Sequence, residues 1–226
     1  MKTLELQNIS HSYAQPDTRE LKILDGISLQ LGRGESVSIT GPSGSGKSTL
    51  LYIAGTLLKQ TAGVVLIDGI KTADITPDEI SLLRNKKIGF IFQQHFLLPQ
   101  LTALENVLLP QLAKKNTINE EIINRAQELF IKSALKDRMK HYPADLSAGE
   151  CQRVACLRAL LHEPLLILAD EPTGSLDQKN AQIILEMLFS MLSIQNSSLL
   201  LVTHSEKAAA MCSRNFLLEN GVIRQS

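Results

Sequence analysis

Nothing constrains the fold of this chain as much as the run Gly41, Pro42, Ser43, Gly44, Ser45, Gly46, Lys47, Ser48, with Thr49 after it. The run matches G-x-x-x-x-G-K-[ST], a pattern that has a mechanism only between a strand and a helix. Both neighbours are expected here: Glu35 to Thr40 alternates like a short strand, and Ser48 to Ala54 reads as the first turns of a helix. Gly44 and Gly46 leave no Cβ in the way of a tight turn, so successive N–H groups can converge on phosphate oxygens. The helix adds the positive end of its dipole. Lys47 supplies a full charge, and the Ser48 hydroxyl is placed to ligate a magnesium ion bridging the outer phosphates. A merely flexible glycine-serine turn would need neither residue.

The 226 residues suffice for one large domain, or a domain with an insertion, and call for no second core. Lys plus Arg number 23 and Asp plus Glu number 23, so no basic field argues for nucleic acid and no acidic excess argues for disorder. Cys151, Cys156 and Cys212 are odd in number and lack metal-ligand spacing, which reads as reduced thiols of a cytosolic protein. The N-terminal residues alternate like a strand and carry no signal-peptide pattern, so the chain is expected to stay where it is made. No apolar run approaches the roughly 18 to 20 residues of a membrane span. A membrane role therefore has to come through a partner.

Leu4, Leu6 and Ile9 alternate with polar neighbours and Leu21 to Leu31 repeats the habit, so antiparallel β structure is expected first. Between these strands Gln15 to Glu20 has turn chemistry, and Tyr13 is placed just past the first strand, where packing and function are equally good readings. Val64 to Asp68 reads as a strand closed by an Asp68-Gly69 turn, Thr76 to Glu79 opens a helix, and Ile88 to Phe92 is a strand stopping at Gln93. The pattern from 95 to 162 is helical, including an amphipathic Ile118 to Ile131. Strands Leu165 to Ala169 and Ser198 to Thr203 then return, with helices Ala181 to Leu192 and Glu206 to Met211 and a closing hairpin about Asn220-Gly221. Near-continuous apolar runs predict parallel strands buried on both faces.

Open α/β sheets bind ligands beyond the carboxyl ends of their strands, and several ends here carry chemistry. Asp170 is placed for a metal bound to a nucleotide, and Glu171, next along, for orienting and polarising water. His204 could reach the γ-phosphate or that water, and Gln93 the metal or the water. Singly these are strand-ending turns or helix caps; beside a phosphate loop on one sheet edge they form a site. Ser147 and Glu150 have capping-box spacing. The glycine-containing helix start Ser147, Ala148, Gly149 is also a second anion site, without an obvious ligand of its own.

In this order the motifs resemble those of the ATP-binding cassette ATPases over essentially the whole chain. Gly41 to Ser48 looks like the Walker A motif, Gln93 like the Q-loop glutamine, Leu146 to Glu150 like the signature, Leu165 to Glu171 like Walker B, Ser175 to Asp177 like the D-loop, and His204 like the switch histidine. Tyr13 falls where the family stacks an aromatic ring on adenine. The resemblance implies an α/β P-loop NTPase fold. It would have a RecA-like parallel-sheet core over 1–94 and 163–226, with an antiparallel β part at its N-terminal end, and an inserted helical subdomain over 95–162. It further implies ATP as substrate, Mg2+ held by Ser48, Gln93 and Asp170, and Glu171 and His204 as catalytic residues. Ser147, Ala148, Gly149 and Glu150 would act on the nucleotide of a second copy of the chain.

More narrowly, Ile88 to Gln94, Leu97 to Val107 and Ala169 to Gly174 are similar to the lipoprotein-releasing LolD-type and MacB-type exporter ATPases. That implies a peripheral subunit on the cytoplasmic face of the inner membrane, contacting integral-membrane permease subunits around His95 to Leu101, with no nucleic acid involved. The cell-division ATPase FtsE lies in the same neighbourhood, and a regulatory or scaffolding module of low turnover is the alternative. Ala148 stands where the family has a first signature glycine. Its methyl is expected to crowd the partner phosphate or to bar a left-handed backbone, attenuating hydrolysis. Cys151 replaces a usual polar residue.

Overall fold

The computed structural model describes residues 2–14, 20–112 and 118–226; residues 15–19 of the expected turn lie outside them. The chain opens with strands β1 (Lys2–Ala14), β2 (Glu20–Gly32) and β3 (Ser36–Thr40), helix α1 (Lys47–Ala54), and strands β4 (Ala62–Ile67) and β5 (Ile70–Lys71). Helix α2 (Pro77–Lys87), strand β6 (Ile88–Ile91) and helices α3 (Ala103–Leu112), α4 (Glu120–Lys132) and α5 (Ala148–Leu160) follow. It closes with β7 (Leu166–Asp170), α6 (Gln178–Gln195), β8 (Ser198–Val202), α7 (Glu206–Ala210), β9 (Arg214–Glu219) and β10 (Val222–Gln225).

The strands form two sheets. One is antiparallel in the order β2-β1-β4-β5, and the other is six-stranded in the order β10-β9-β3-β8-β7-β6. Every pairing from β9 to β6 is parallel, and only β10 runs antiparallel. The apolar runs of β7 and β8 explain themselves by alternation. Leu166, Leu168, Leu200 and Val202 face a core shared with α1 and the antiparallel sheet, whereas Ile167, Ala169, Leu199 and Leu201 face a second core made with α3 to α6. The sheet is thus buried on both faces, as the near-continuous apolar runs predict, and it separates two apolar clusters.

Element boundaries moved where local chemistry outweighed periodicity. Tyr13 lies inside β1 rather than past it, because pairing with β2 continues through Tyr13↔Leu21 to Ala14↔Glu20. Helix α5 starts at Ala148 rather than Cys151, and α6 at Gln178 rather than Ala181. Their first turns, small residues in α5 and polar ones in α6, carry no apolar period, but Ser147 and Asp177 cap them and so fix the true starts. The Thr76, Pro77, Glu79 start of α2 forms the capping box its residues predict.

Candidate active site

Strand β3 delivers the chain into the phosphate loop, and the loop is glycine where geometry demands it. Gly41 has φ 148° and a Cβ there would overlap the Leu218 carbonyl oxygen; Gly46 has φ 99°, and its Cβ would lie 2.7 Å from Ile23 Cγ2. Lys47 is buried, and its ammonium donates to the carbonyls of Gly41 and Pro42, both at 2.9 Å. Burial pushes the Lys47 pKa down, while the nearby Glu171 and Asp170 carboxylates oppose that shift. The Ser48 hydroxyl donates to Asp170 Oδ1 at 3.1 Å, so one hydroxyl and one carboxylate converge at the loop.

Asp170 ends β7, and Glu171 follows with φ 46°, a left-handed conformation unusual for glutamate. Its N–H donates to the Val202 carbonyl at 2.9 Å, which ties the strained residue to β8. Of its carboxylate oxygens, Oε2 accepts from the Thr203 hydroxyl at 3.4 Å. Oε1 is buried without a hydrogen-bond partner, and the half-exposed His204 places Nε2 3.4 Å away. His204 is therefore the group that faces this carboxylate oxygen from β8's end of the sheet.

An open cleft of about 740 Å3 joins these groups, lined by Ser43, Gly44, Lys47, Ser48, Gln93, Asp170, Glu171 and His204 among others. Sequence reasoning missed Tyr52, Phe92 and Phe96, which also line it. Tyr52 stands one helical turn after Ser48 on α1, a spacing that could have flagged it. Its phenol pKa is raised by burial and by the Asp170 carboxylate. Tyr13 is not in the cleft wall; its hydroxyl lies 3.3 Å from Thr49 Oγ1, at the start of α1. Gln93 sits against Gly174, where a Cβ would stand 3.2 Å from its Nε2.

Ser147, Ala148, Gly149, Glu150 and Asp177 form none of the cleft wall. They lie together elsewhere, since Gly149 packs on Asn180 of α6 and Asn180 is hydrogen-bonded to Asp177. The Ser147–Glu150 capping box is complete, and Arg138 donates to Glu150 Oε1 at 2.8 Å. The Ser147 N–H bond, then Arg138, hold the Glu150 pKa at about 2. Ala148 is exposed, occupies the first position of α5 and is not among the residues with positive φ. The expected conflict with a left-handed backbone therefore does not arise, because this helical position suits alanine. Cys151 is buried with Sγ 3.6 Å from the Pro143 carbonyl, a packing position rather than a polar one.

The segment His95 to Leu101 is held from two sides. Arg158 donates to the carbonyls of His95 and Phe96 at 2.7 and 2.8 Å, and the fully buried Asn106 bonds the Leu98 N–H and the Leu98, Leu101 and Thr102 carbonyls. Leu97 is buried, while Phe96 and Leu98 are 58% and 46% exposed and Phe96 adopts φ 46°. Beside it a cavity of about 390 Å3 is lined by Leu57, Phe90, Phe92, Pro110 and Arg158 among others. Phe92 forms a wall of both this cavity and the nucleotide-sized cleft.

A phosphate cradle after β3 of a parallel sheet, with paired carboxylates at the end of β7, one strand beyond the neighbouring β8, defines a P-loop nucleotide hydrolase. A family model described as ABC transporter matches residues 24–174. The lipoprotein-releasing system ATP-binding protein LolD of Nitrobacter winogradskyi is 45% identical over 219 residues, covering 97% of this chain and 94% of that one. The LolD protein of Aquifex aeolicus is 46% identical over 206 residues, 91% of each chain. Among solved structures, a dimeric bacterial ABC transporter cassette aligns with TM-score 0.90 at 41% identity, covering 99% of this chain and 97% of that one. A dimeric cassette in a post-hydrolysis state, bound to ADP and Pi, aligns with TM-score 0.89 at 40% identity over the same shares. The chain belongs to the ABC transporter ATP-binding family. It is an ATP-binding ABC-type ATPase, and among its relatives are the LolD proteins its sequence resembles.

Proposed function

We propose that this chain is the ATP-hydrolysing motor subunit of a lipoprotein-release complex, working as a homodimer on the cytoplasmic face of the inner membrane. The observation that carries the catalytic part is the Glu171 carboxylate in the cleft wall, on a residue of left-handed backbone and with Oε1 3.4 Å from His204 Nε2. Glu171 takes the proton from the attacking water, the water oxygen bonds to the γ-phosphorus, and the bridging bond to the β-phosphate breaks to give ADP and phosphate. His204 holds the γ-phosphate or the water in line. Lys47 and the N–H groups of the loop carry the outer phosphates. The Ser48 hydroxyl and Asp170 carboxylate are hard oxygen donors at one spot and fit Mg2+, with the Gln93 amide within the same cleft. When bound, the ion supplies charge neutralisation on the outer phosphates.

The dimer reading rests on the signature and D-loop residues lying away from their own cradle, and on the dimeric state of the solved relatives. The membrane role rests on the names of the relatives. Among the described residues no helix is long and apolar enough to cross a membrane, so attachment is assigned to a permease partner. Residues 95–162 act as the helical subdomain, and Phe96 and Leu98, on a rigid loop, are the proposed contact. The helical conformation of Ala148 gives no support to a low-turnover scaffolding role.

Replacing Glu171 by Gln tests the reading. Hydrolysis by the purified chain should fall by roughly 10²- to 10⁴-fold while ATP binding is kept, and ATP should accumulate a dimer on sizing. Equal rates for both proteins would remove Glu171 from the mechanism. Leu98→Glu should abolish stimulation by permease in detergent and leave ATP affinity intact; full stimulation would misplace the contact.

A further inference from the structure

His11 is the unusual residue of β1. Side chains alternate along a strand, so Ile9, His11 and Tyr13 share one face. Ile9 is fully buried, His11 is 7% exposed, and Tyr13 leads out to the start of α1. Both ring nitrogens of His11 are buried and neither has a hydrogen-bond partner. An imidazole in that state is less favourable than an apolar side chain of the same size, so core packing is a poor reason for histidine here. Register shifts flank it on both sides, between Ile9 and His11 and between His11 and Ser12. The extra residues lie in β2, so β1 keeps its alternation through His11 and Tyr13.

What the His11 ring does touch is the ring of Tyr13, with centroids 4.7 Å apart and planes at 83°. That edge-to-face arrangement is a favourable one for aromatic pairs. At the other end of the tyrosine, the hydroxyl is tethered to Thr49 at 3.3 Å. A perpendicular ring at one side and a hydroxyl contact at the tip both act on the orientation of Tyr13.

We propose that His11 is a positioning residue for base recognition: it fixes the plane of Tyr13, which presents its ring to the purine of the bound nucleotide. The proposal rests on the reading of Tyr13 as the base-stacking residue, and the experiment separates the two. The full chain is titrated by calorimetry with Mg-ATP and with Mg-tripolyphosphate, which carries the phosphates but no base. His11→Leu keeps the buried volume and removes both the ring and the unpaired nitrogens, so it should fold. It should weaken ATP binding about two- to tenfold, the span of an aromatic pair, and leave tripolyphosphate unchanged. His11→Phe restores a perpendicular ring and should bind ATP like the wild type. ATP affinity unchanged in His11→Leu, or equal loss for both ligands, overturns the proposal while leaving Tyr13 in place if Tyr13→Ala still weakens ATP. No effect of Tyr13→Ala overturns the stacking reading and the role of His11 with it.

Discussion

Gly149→Ala is the perturbation whose size the structure fixes best. Gly149 is buried at the second position of α5, and a Cβ there would stand 2.9 Å from Asn180 Oδ1, 3.0 Å from its Cγ and 3.3 Å from its Cβ. The whole Asn180 side chain would have to move, and it is not free to do so. Its Nδ2 donates to Asp177 Oδ2 at 2.5 Å and its N–H to Asp177 Oδ1 at 3.0 Å. Overpacking of this kind costs about 1–3 kcal/mol. A displaced hydrogen bond costs about 0.5–1.5 kcal/mol, and alanine returns up to about 1 kcal/mol of helix propensity. A net loss of about 1–3 kcal/mol is expected, read in urea unfolding as a lower midpoint at unchanged slope. Adding Asn180→Ala removes the obstacle, so the two changes should be non-additive by at least about 0.5 kcal/mol. A stable Gly149→Ala protein, or an additive cycle, would show that Asn180 does not press on the signature helix.

Other outcomes follow from the same geometry. Ala148→Gly removes an exposed methyl from helical backbone, so stability should fall by at most about 1 kcal/mol and ATP turnover should stay within a few-fold; a tenfold rise would mean that the methyl obstructs the site. The Glu150 pKa is held at about 2 against an ordinary 4.5, so its stabilisation is complete above pH 4.5 and is lost as pH falls towards 2. The destabilisation caused by Glu150→Gln should therefore be full at neutral pH and shrink across that window in acid unfolding; a constant difference would contradict the assignment. Burial pushes the Cys156 and Cys212 thiols up to about 12, so both should resist maleimide at pH 8 until the chain is unfolded. Rapid labelling of the native protein would refute their placement.

The cradle and the polar strand ends were legible because their chemistry is local: each functional type follows directly on an apolar run, and the run gives its position in the sheet. Caps were legible for the same reason at Thr76 and Ser147. What could not be read depended on contacts between distant segments. The apolar run of β7 announces burial on both faces, but not which distant elements cover each face. Tyr13 looked like loop because the residues after it are polar, whereas pairing with Leu21 keeps it in the strand. Asn106 resembles any polar residue in a helix, yet its bonds to Leu98, Leu101 and Thr102 are what make the neighbouring loop rigid. Only the left-handed-backbone reading of Ala148 fails, because no pattern in one sequence reveals that the position is ordinary helix.

The anion site proposed at the start of α5 gains an electrostatic logic from Arg138. A capping box satisfies the N–H groups of Ser147 and Glu150 and leaves those of Ala148 and Gly149 outside its own bonds. Those two donors, with the positive end of α5, suit an incoming phosphate. The box also brings a carboxylate to the same helix end, and Glu150 alone would repel such a ligand. The Arg138 guanidinium at 2.8 Å offsets that charge and keeps the carboxylate turned into the cap. In the proposed dimer the cradle of one copy brings the phosphates and the α5 end of the other brings a donor surface with its local acid already neutralised. On that reading each half needs the other, and the cleft lining of a single chain includes none of Ser147, Ala148, Gly149 and Glu150. In that proposed dimer closure depends on the nucleotide, because its phosphate gives the two positive helix ends a reason to approach each other.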